Sequence, residues 1–360
     1  MTSWPARYAE DERPRCGTVP AGTMGGMRLL VLGGTHHVGR AVVEEALARG
    51  DEVTTLTRGV SGPPAVGAVP LHADRTDPAA FHEALGDATW DAVIDTWSGA
   101  PRVVLDSASL LASRAGHYGY VSSRSVYQWP PAVGLDESGP VVDGDPQSAQ
   151  SDDYAAAKRG SELAAQAGFG ADRTVLARAG LILGPYEIVG RMPWWLRRIE
   201  RGGDVLAPGP ADMKLQYIDC RDLARWLLHA ADEGIAGPFN TVSQPGLATM
   251  ASLLEAAIAA TGSDARLVWV PPDVIEAAGI APWIELPVWL PPDGEGAGLH
   301  TGDVSAVYAA GLSCRPVQET VTDTWAWLQE EGDPAVSAGR PAHGLDPERE
   351  RAVLAGLTKT

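Results

Sequence analysis

Along the first half of the chain, short runs of apolar and β-branched residues alternate with stretches of helical period. The runs "MRLLVLG" (27–33), "EVTTLT" (52–57), "AVPLH" (68–72), "DAVIDT" (91–96), "HYGYVS" (117–122) and "TVLARAG" (174–180) read as strands. Helical patterns fall between them at 38–49, 78–85, in a segment ending near Ser113, and at 153–167. This alternation predicts right-handed crossovers and a doubly wound parallel sheet with helices on both faces, an α/β fold. Residues 123–153 are polar and rich in Pro and Gly, far longer than an ordinary connection, so they either serve a site or are disordered.

After Gly184-Pro185 the texture changes, and Trp194, Trp195, Trp226, Trp269, Trp283 and Trp289 are spread through shorter segments broken by Gly and Pro. The expected organisation is a dinucleotide-binding domain at 27–184 with a smaller, interleaved substrate-binding part at 185–330, whose final helix lies near 315–330. Residues 1–26 read as a disordered extension with Met27 a plausible start, and 331–360 as a polar tail that packs loosely.

Charge narrows the partners. The 360 residues carry 46 acidic and 28 basic side chains, a formal net charge of -18, which would repel a nucleic-acid backbone. Cys16, Cys220 and Cys314 are odd in number and widely spaced, which fits a reducing cytoplasm better than a disulfide framework. The most apolar region, 267–292, is cut by Pro271, Pro272, Asp273 and Glu285, so no membrane span is expected. Apart from His36, the histidines (37, 72, 82, 117, 229, 300 and 343) are scattered without ligand spacing, and no metal is expected.

The candidate chemistry begins at "GGTHHVG" (33–39), between the first strand and the first helix. A dinucleotide turn needs one Gly for the tight bend, one for approach of the pyrophosphate and one for packing of helix on strand. Gly33 and Gly39 hold the outer positions, and His36 stands where the middle Gly is usual. The first-turn amides of the helix, including His37 and Val38, would face a phosphate, with Gly34 and Thr35 adding freedom and a hydroxyl and His36 lying along the diphosphate as a donor. Arg58, after the second strand, suits the 2′-phosphate of NADP and favours NADP over NAD. Asp74, after the third strand, is placed to meet the adenine amino group, and Thr96, which ends "DAVIDT", completes the cofactor-binding set.

In "SDDYAAAKRGSE", Tyr154 and Lys158 stand four apart on a predicted helix and share one face. A phenol titrates near about 10, and a neighbouring ammonium lowers that value and stabilises the phenolate; the same Lys can reach a cofactor ribose. Ser123 ends the fifth strand at its carboxyl edge, where ligands sit in open parallel sheets.

The ordered set "GGTHHVG", "DAVIDT", "YVSSRSVY", "YAAAKRGSE", "LARAGLILGP" and "LQYIDCRDLA" resembles the extended short-chain dehydrogenase/reductase superfamily, which contains NAD-dependent epimerases and dehydratases, over residues 27–330. The resemblance implies a Rossmann-type fold and a catalytic set of Ser123, Tyr154 and Lys158, with Glu162 one turn further on. Arg124 and Ser125 replace the Asp-Glu pair that performs elimination in sugar dehydratases, which argues against that reaction and leaves both as substrate-contact candidates. Ala155 and Ala157 replace the usual Gly and Ser, and Ala179 the usual Pro. Trp194 and Trp195 are candidates to stack on a substrate ring, Arg198 to receive an anion, and Tyr217 to close the substrate side.

The leading expectation is an NAD(P)-dependent oxidoreductase acting on a carbonyl or hydroxyl carbon of a small ring-bearing molecule, of the kind met in specialised metabolism. One alternative is a nucleotide-sugar epimerase with tightly held NAD, its substrate diphosphate received by Arg191, Arg197, Arg198 and Lys214. The other is a cofactor-binding protein without turnover. Helices near 99–113 and 153–167 are the expected seam of a homodimer.

Overall fold

The computed structural model describes residues 26–334 and 343–357. The first half forms β1 (Arg28–Leu32), α1 (His37–Arg49), β2 (Glu52–Thr57), β3 (Val69–His72), α2 (Pro78–Leu85), β4 (Trp90–Asp95), α3 (Pro101–Leu111), β5 (Ala115–Ser123), α4 (Tyr154–Phe169) and β6 (Thr174–Ala179). There follow β7 (Leu181–Leu183), α5 (Arg191–Glu200), β8 (Asp204–Pro208), β9 (Lys214–Leu215), β10 (Tyr217–Asp219), α6 (Cys220–Asp232), β11 (Gly237–Thr241), β12 (Ala248–Thr249) and α7 (Met250–Thr261). The last elements are β13 (Arg266–Val270), α8 (Pro272–Ala277), α9 (Ser305–Ala309), α10 (Val317–Glu331) and α11 (Pro347–Leu357).

Seven strands make one sheet in the order β11-β6-β5-β4-β1-β2-β3, and every pairing in it is parallel. The near-continuous apolar strands follow from burial on both faces. In β1, Leu29 and Val31 pack into one core with α1 and α6, while Leu30 and Leu32 face the opposite core with α3 and α4. The two-residue period of the strand thus serves two layers at once. Pro70 lies in β3, an edge strand, where a missing donor costs little.

The second half is threaded through the first: α6 and β11 return to the sheet, while α5, α7 and α10 pack on one another around a separate core of Trp195, Trp289, Met192 and Leu206. The parallel pair β8–β13 closes that lobe. No helix of the described residues is long and apolar enough to cross a membrane.

Of the two alternatives for the long loop, the structure excludes disorder: residues 124–153 are ordered, with Tyr127 bridging to Val141 and Leu135 buried. One expectation needs correction. The expected loose tail packs firmly where it is described. Glu350, Val353, Leu354 and Leu357 share one face of α11; the Glu350 carboxylate meets Arg198 at 2.6 Å and accepts from the Leu206 amide at 3.0 Å. A tail of polar composition hid a carboxylate that neutralises a buried guanidinium. The expected extension at 1–26 lies, apart from Gly26, outside the described residues.

Candidate active site

The strand order reverses between β1 and β4, and in open parallel sheets that reversal opens a crevice at the carboxyl ends of the strands. Gly33 and Gly34 follow β1 with φ of 126° and 113°, which a side chain at either position would resist. Across the reversal, Thr96 donates its hydroxyl to the Leu32 carbonyl at 3.0 Å. Gly39 lies in the first turn of α1, and a Cβ there would sit 2.7 Å from the Gly34 nitrogen, so the loop folds directly onto the helix.

His36 has φ −136° and ψ 153°, an extended conformation open to any residue. The glycine usual at this position is therefore not required by the backbone. His36 caps α1 without a side-chain hydrogen bond, which leaves the first-turn amides open to a ligand. His37 follows at φ 42°; its Nε2 is buried without a partner, and burial pushes its pKa down to about 4. Open first-turn amides beside a close-packed glycine turn are what a diphosphate needs, so the turn fits a dinucleotide.

The Asp95 carboxylate, beneath Thr96, accepts from Arg75 at 2.7 and 2.8 Å, from the Tyr118 hydroxyl at 2.6 Å and from the Trp97 amide at 2.9 Å. This fully buried pair fixes the turn after β4. Arg75 adjoins Asp74, the residue the sequence singled out. Asp74 itself is exposed and turns back to accept from the Thr76 amide and hydroxyl, while Arg58 is exposed on the loop after β2.

Ser123 ends β5, and its Oγ accepts from the Ser125 amide and donates to the Ser125 hydroxyl, both at 3.1 Å. Tyr154 begins α4, capped by Asp153, which accepts from the Ala156 amide at 3.0 Å. One turn on, Lys158 is buried, and its three N–H groups donate to the Trp97 carbonyl at 2.7 Å, the Val121 carbonyl at 2.8 Å and the Tyr120 hydroxyl at 3.2 Å. Burial lowers its pKa to about 8, against the pull of Asp95 and Glu162. With its donors so engaged, Lys158 reaches a ribose only by exchanging one of these bonds. Glu162, a further turn on, accepts from Ser122 at 2.8 Å and from Arg178 at 2.9 and 3.0 Å, clamping α4 to β5 and β6.

A cavity of about 720 Å³ joins these parts. His36, His37, Val38, Gly39 and Thr96 line it from the glycine turn, and Ser123, Arg124, Ser125 and Tyr154 from β5 and α4. Gln216, Arg191, Trp283 and His343 close it from the second half.

Four expected substrate contacts are not brought to it. Trp195 is fully buried and donates to the Pro287 carbonyl at 2.8 Å; Trp194 packs edge-on against it, 4.6 Å between centroids. Both serve the second core, because apolar rings that can pack do so. Arg198 is held by Glu350 and by the Gly202 and Asp204 carbonyls. Tyr217 is buried in the same lobe, and its neighbour Gln216 faces the cavity instead. Arg58 and Asp74 also lie outside the lining. Gln216 lies inside the segment "LQYIDCRDLA", where the resemblance points to Tyr217 as the contact in its place, and Trp283 belongs to no local motif that would set it apart from the other tryptophans.

The NAD dependent epimerase/dehydratase family model matches residues 29–241, more than half of the 360 residues. The chain belongs to the NAD-dependent epimerase/dehydratase family. It is on that ground an enzyme. No curated protein sequence matches this member of the family. Among solved structures, the Bordetella bronchiseptica enzyme WbmH in complex with NAD+ is similar at 18% identity and TM-score 0.65, over 85% of this chain and 99% of that one. WbmG from the same organism, in complex with NAD and UDP, is similar at 17% identity and TM-score 0.63, over 90% and 100%. The UDP-glucose 4-epimerase of Thermotoga maritima, solved with UDP-glucose, follows at 16% identity and TM-score 0.60, over 84% and 99%. At these identities the likeness is one of fold.

Proposed function

We propose that this enzyme catalyses hydride transfer at a carbonyl or hydroxyl carbon of a small ring-bearing molecule, using a nicotinamide dinucleotide held by the 33–39 turn. The observation that carries the reading is that Ser123, Tyr154 and the uncapped start of α1 line one cavity, with the Lys158 ammonium fixed one turn behind Tyr154. The bound nicotinamide supplies the hydride chemistry. Tyr154 gives a proton to the substrate oxygen in reduction and takes it in oxidation. Ser123, its hydroxyl oriented by the Ser125 amide, donates a hydrogen bond to the same oxygen. Lys158 holds positive charge behind the phenol, which favours the phenolate. Arg58, exposed on the loop after β2, is the residue we expect to meet a 2′-phosphate, and on that expectation NADP is favoured over NAD.

The family and the NAD-bound neighbours favour a second reading, epimerisation of a nucleotide sugar by internal redox with the same three residues. Two of the cations expected to receive a diphosphate are already engaged, Arg198 with Glu350 and Arg197 with Asp333 and Glu200. We therefore place net redox first. Of the four, Arg191 alone lines the cavity, and its guanidinium stacks on Trp283. We also expect α3 and α4 to form the seam of a homodimer, which sedimentation would show as a dimer and a monomer would refute.

The test is to denature freshly purified protein, identify any released nicotinamide by mass spectrometry, and titrate the emptied protein with NADPH and NADH. An empty site that prefers NADPH supports net reduction; near-stoichiometric NAD carried through purification, with inversion of a sugar centre and no net change in nicotinamide absorbance, would replace it by epimerisation.

A further inference from the structure

Four arginine side chains among the described residues are buried: Arg75, Arg124, Arg178 and Arg198. Three have a carboxylate within 3 Å: Asp95 at 2.7 Å, Glu162 at 2.9 Å and Glu350 at 2.6 Å respectively. Arg124 has none within ion-pair distance among the described residues. Its hydrogen bonds are both made by Nη1, to the Leu299 carbonyl at 2.8 Å and the Gln216 Oε1 at 3.2 Å, and its Nε is buried without a partner. Both partners are neutral oxygens.

The arrangement is held from several sides. Gln216 donates its amide to the Ser243 and Gly302 carbonyls, each at 2.9 Å, which turns its oxygen toward Arg124 and the Gly302 amide. His300 Nδ1 accepts from the Gln216 backbone N–H at 3.0 Å, and the ring is kept neutral by burial, which pushes its pKa down to about 4. Burial also lowers the Arg124 pKa, but an arginine does not lose its proton at neutral pH. A buried cation without a paired carboxylate is unfavourable, and the carboxylate that acts on Arg124, Glu137, does so from beyond ion-pair distance. Arg124 is adjacent in sequence to Ser123 and lines the same cavity.

We propose that Arg124 is a specificity-determining residue whose missing counter-ion is carried by the substrate, a carboxylate set beside the reacting carbon. The guanidinium has N–H groups left to meet it, and such pairs form charge-assisted bonds about twice as strong as neutral ones. A monoanion fits better than a phosphate, because Arg191, the cavity's other guanidinium, stacks instead on Trp283 at 5.2 Å and lies near His37. The proposal rests on the reading of this cavity as the substrate site.

The test compares cyclohexanecarboxylate with cyclohexanecarboxamide, matched in size and differing in charge, by ligand-observed NMR. It is run on the full chain with and without NADPH, for wild type and Arg124→Gln. Wild type is expected to bind the carboxylate, with the amide about tenfold weaker, and Arg124→Gln to lose that preference. Should the variant fail to fold, the Arg124 Nε resonance in ¹⁵N-arginine-labelled wild type is read instead, and it should move with the carboxylate alone. Equal binding of the two probes, no binding of the carboxylate, or a preference that survives Arg124→Gln would overturn the proposal. Failure of NADPH to bind would count against the cofactor reading, while the comparison on cofactor-free protein still decides the role of Arg124.

Discussion

Lys158→Met separates the electrostatic cost of the site from its benefit. In the folded protein the Lys158 pKa is lowered from 10.5 to about 8, chiefly by burial. The unfolded chain therefore holds this proton more tightly than the folded one, and the group opposes folding wherever it is charged. Linkage puts the penalty at about 3 kcal/mol below pH 8, shrinking to roughly 1.4 kcal/mol at pH 9.5 and vanishing above about 10.5. Stability from this group thus rises with pH across that window. Methionine keeps the aliphatic stem and removes the charge, but leaves the Trp97 and Val121 carbonyls without their donor, at about 1–3 kcal/mol each. The two changes offset one another at pH 7, so the variant should fold with stability within a few kcal/mol of wild type. Urea denaturation at pH 7 and 9.5 reads the difference: relative to the variant, wild type should gain about 2 kcal/mol between these values. Activity should fall by roughly 10²-fold or more, since the phenol loses its fixed cation. The reasoning is refuted if wild type and variant show the same pH dependence of stability, or if the variant turns over normally.

Tyr154→Phe removes only a hydroxyl from a half-exposed ring, so thermal stability should stay within about 0.5 kcal/mol of wild type while turnover drops about 10²- to 10⁴-fold; full turnover would remove the acid–base role. Glu350→Ala strands the Arg198 guanidinium and the Leu206 amide and should cost about 3–5 kcal/mol, measured as a shift in the urea midpoint; an unchanged midpoint would mean that α11 is dispensable. His300 titrates at about 4 when folded and 6.5 otherwise, so the unfolded chain takes up the proton first on acidification. Between these values wild type should lose up to roughly 3 kcal/mol that His300→Gln does not lose, and parallel pH profiles for the two would contradict that.

The sheet was legible because its strands are written as apolar runs between helical patterns, and burial on both faces leaves few other solutions. Ser123, Tyr154 and the 33–39 turn were legible for a related reason: each sits at a strand end or helix start that the pattern itself locates. The aromatic residues of the second half were not. Trp195 reads alike whether it meets a substrate or fills a core, and three-dimensional packing alone decides between them. Arg198 and Glu350 lie 152 residues apart, so no local pattern could pair them. Gln216 and Tyr217 are neighbours on a short extended segment with opposite facing, and a one-residue difference exchanges the cavity for the core. His36 can stand where a glycine is usual because its backbone is extended, a fact that spacing cannot show.

The central claim is that the 33–39 turn holds a nicotinamide dinucleotide beside Ser123 and Tyr154, and calorimetric titration of wild type and Gly39→Ala with NADPH and NADH tests it most directly. A Cβ at Gly39 would sit 2.7 Å from the Gly34 nitrogen and push the loop off the helix start. One dinucleotide per wild-type chain, with affinity lost in a Gly39→Ala protein that still folds, is the predicted result. Binding of neither cofactor by wild type, or binding indifferent to the substitution, would contradict it.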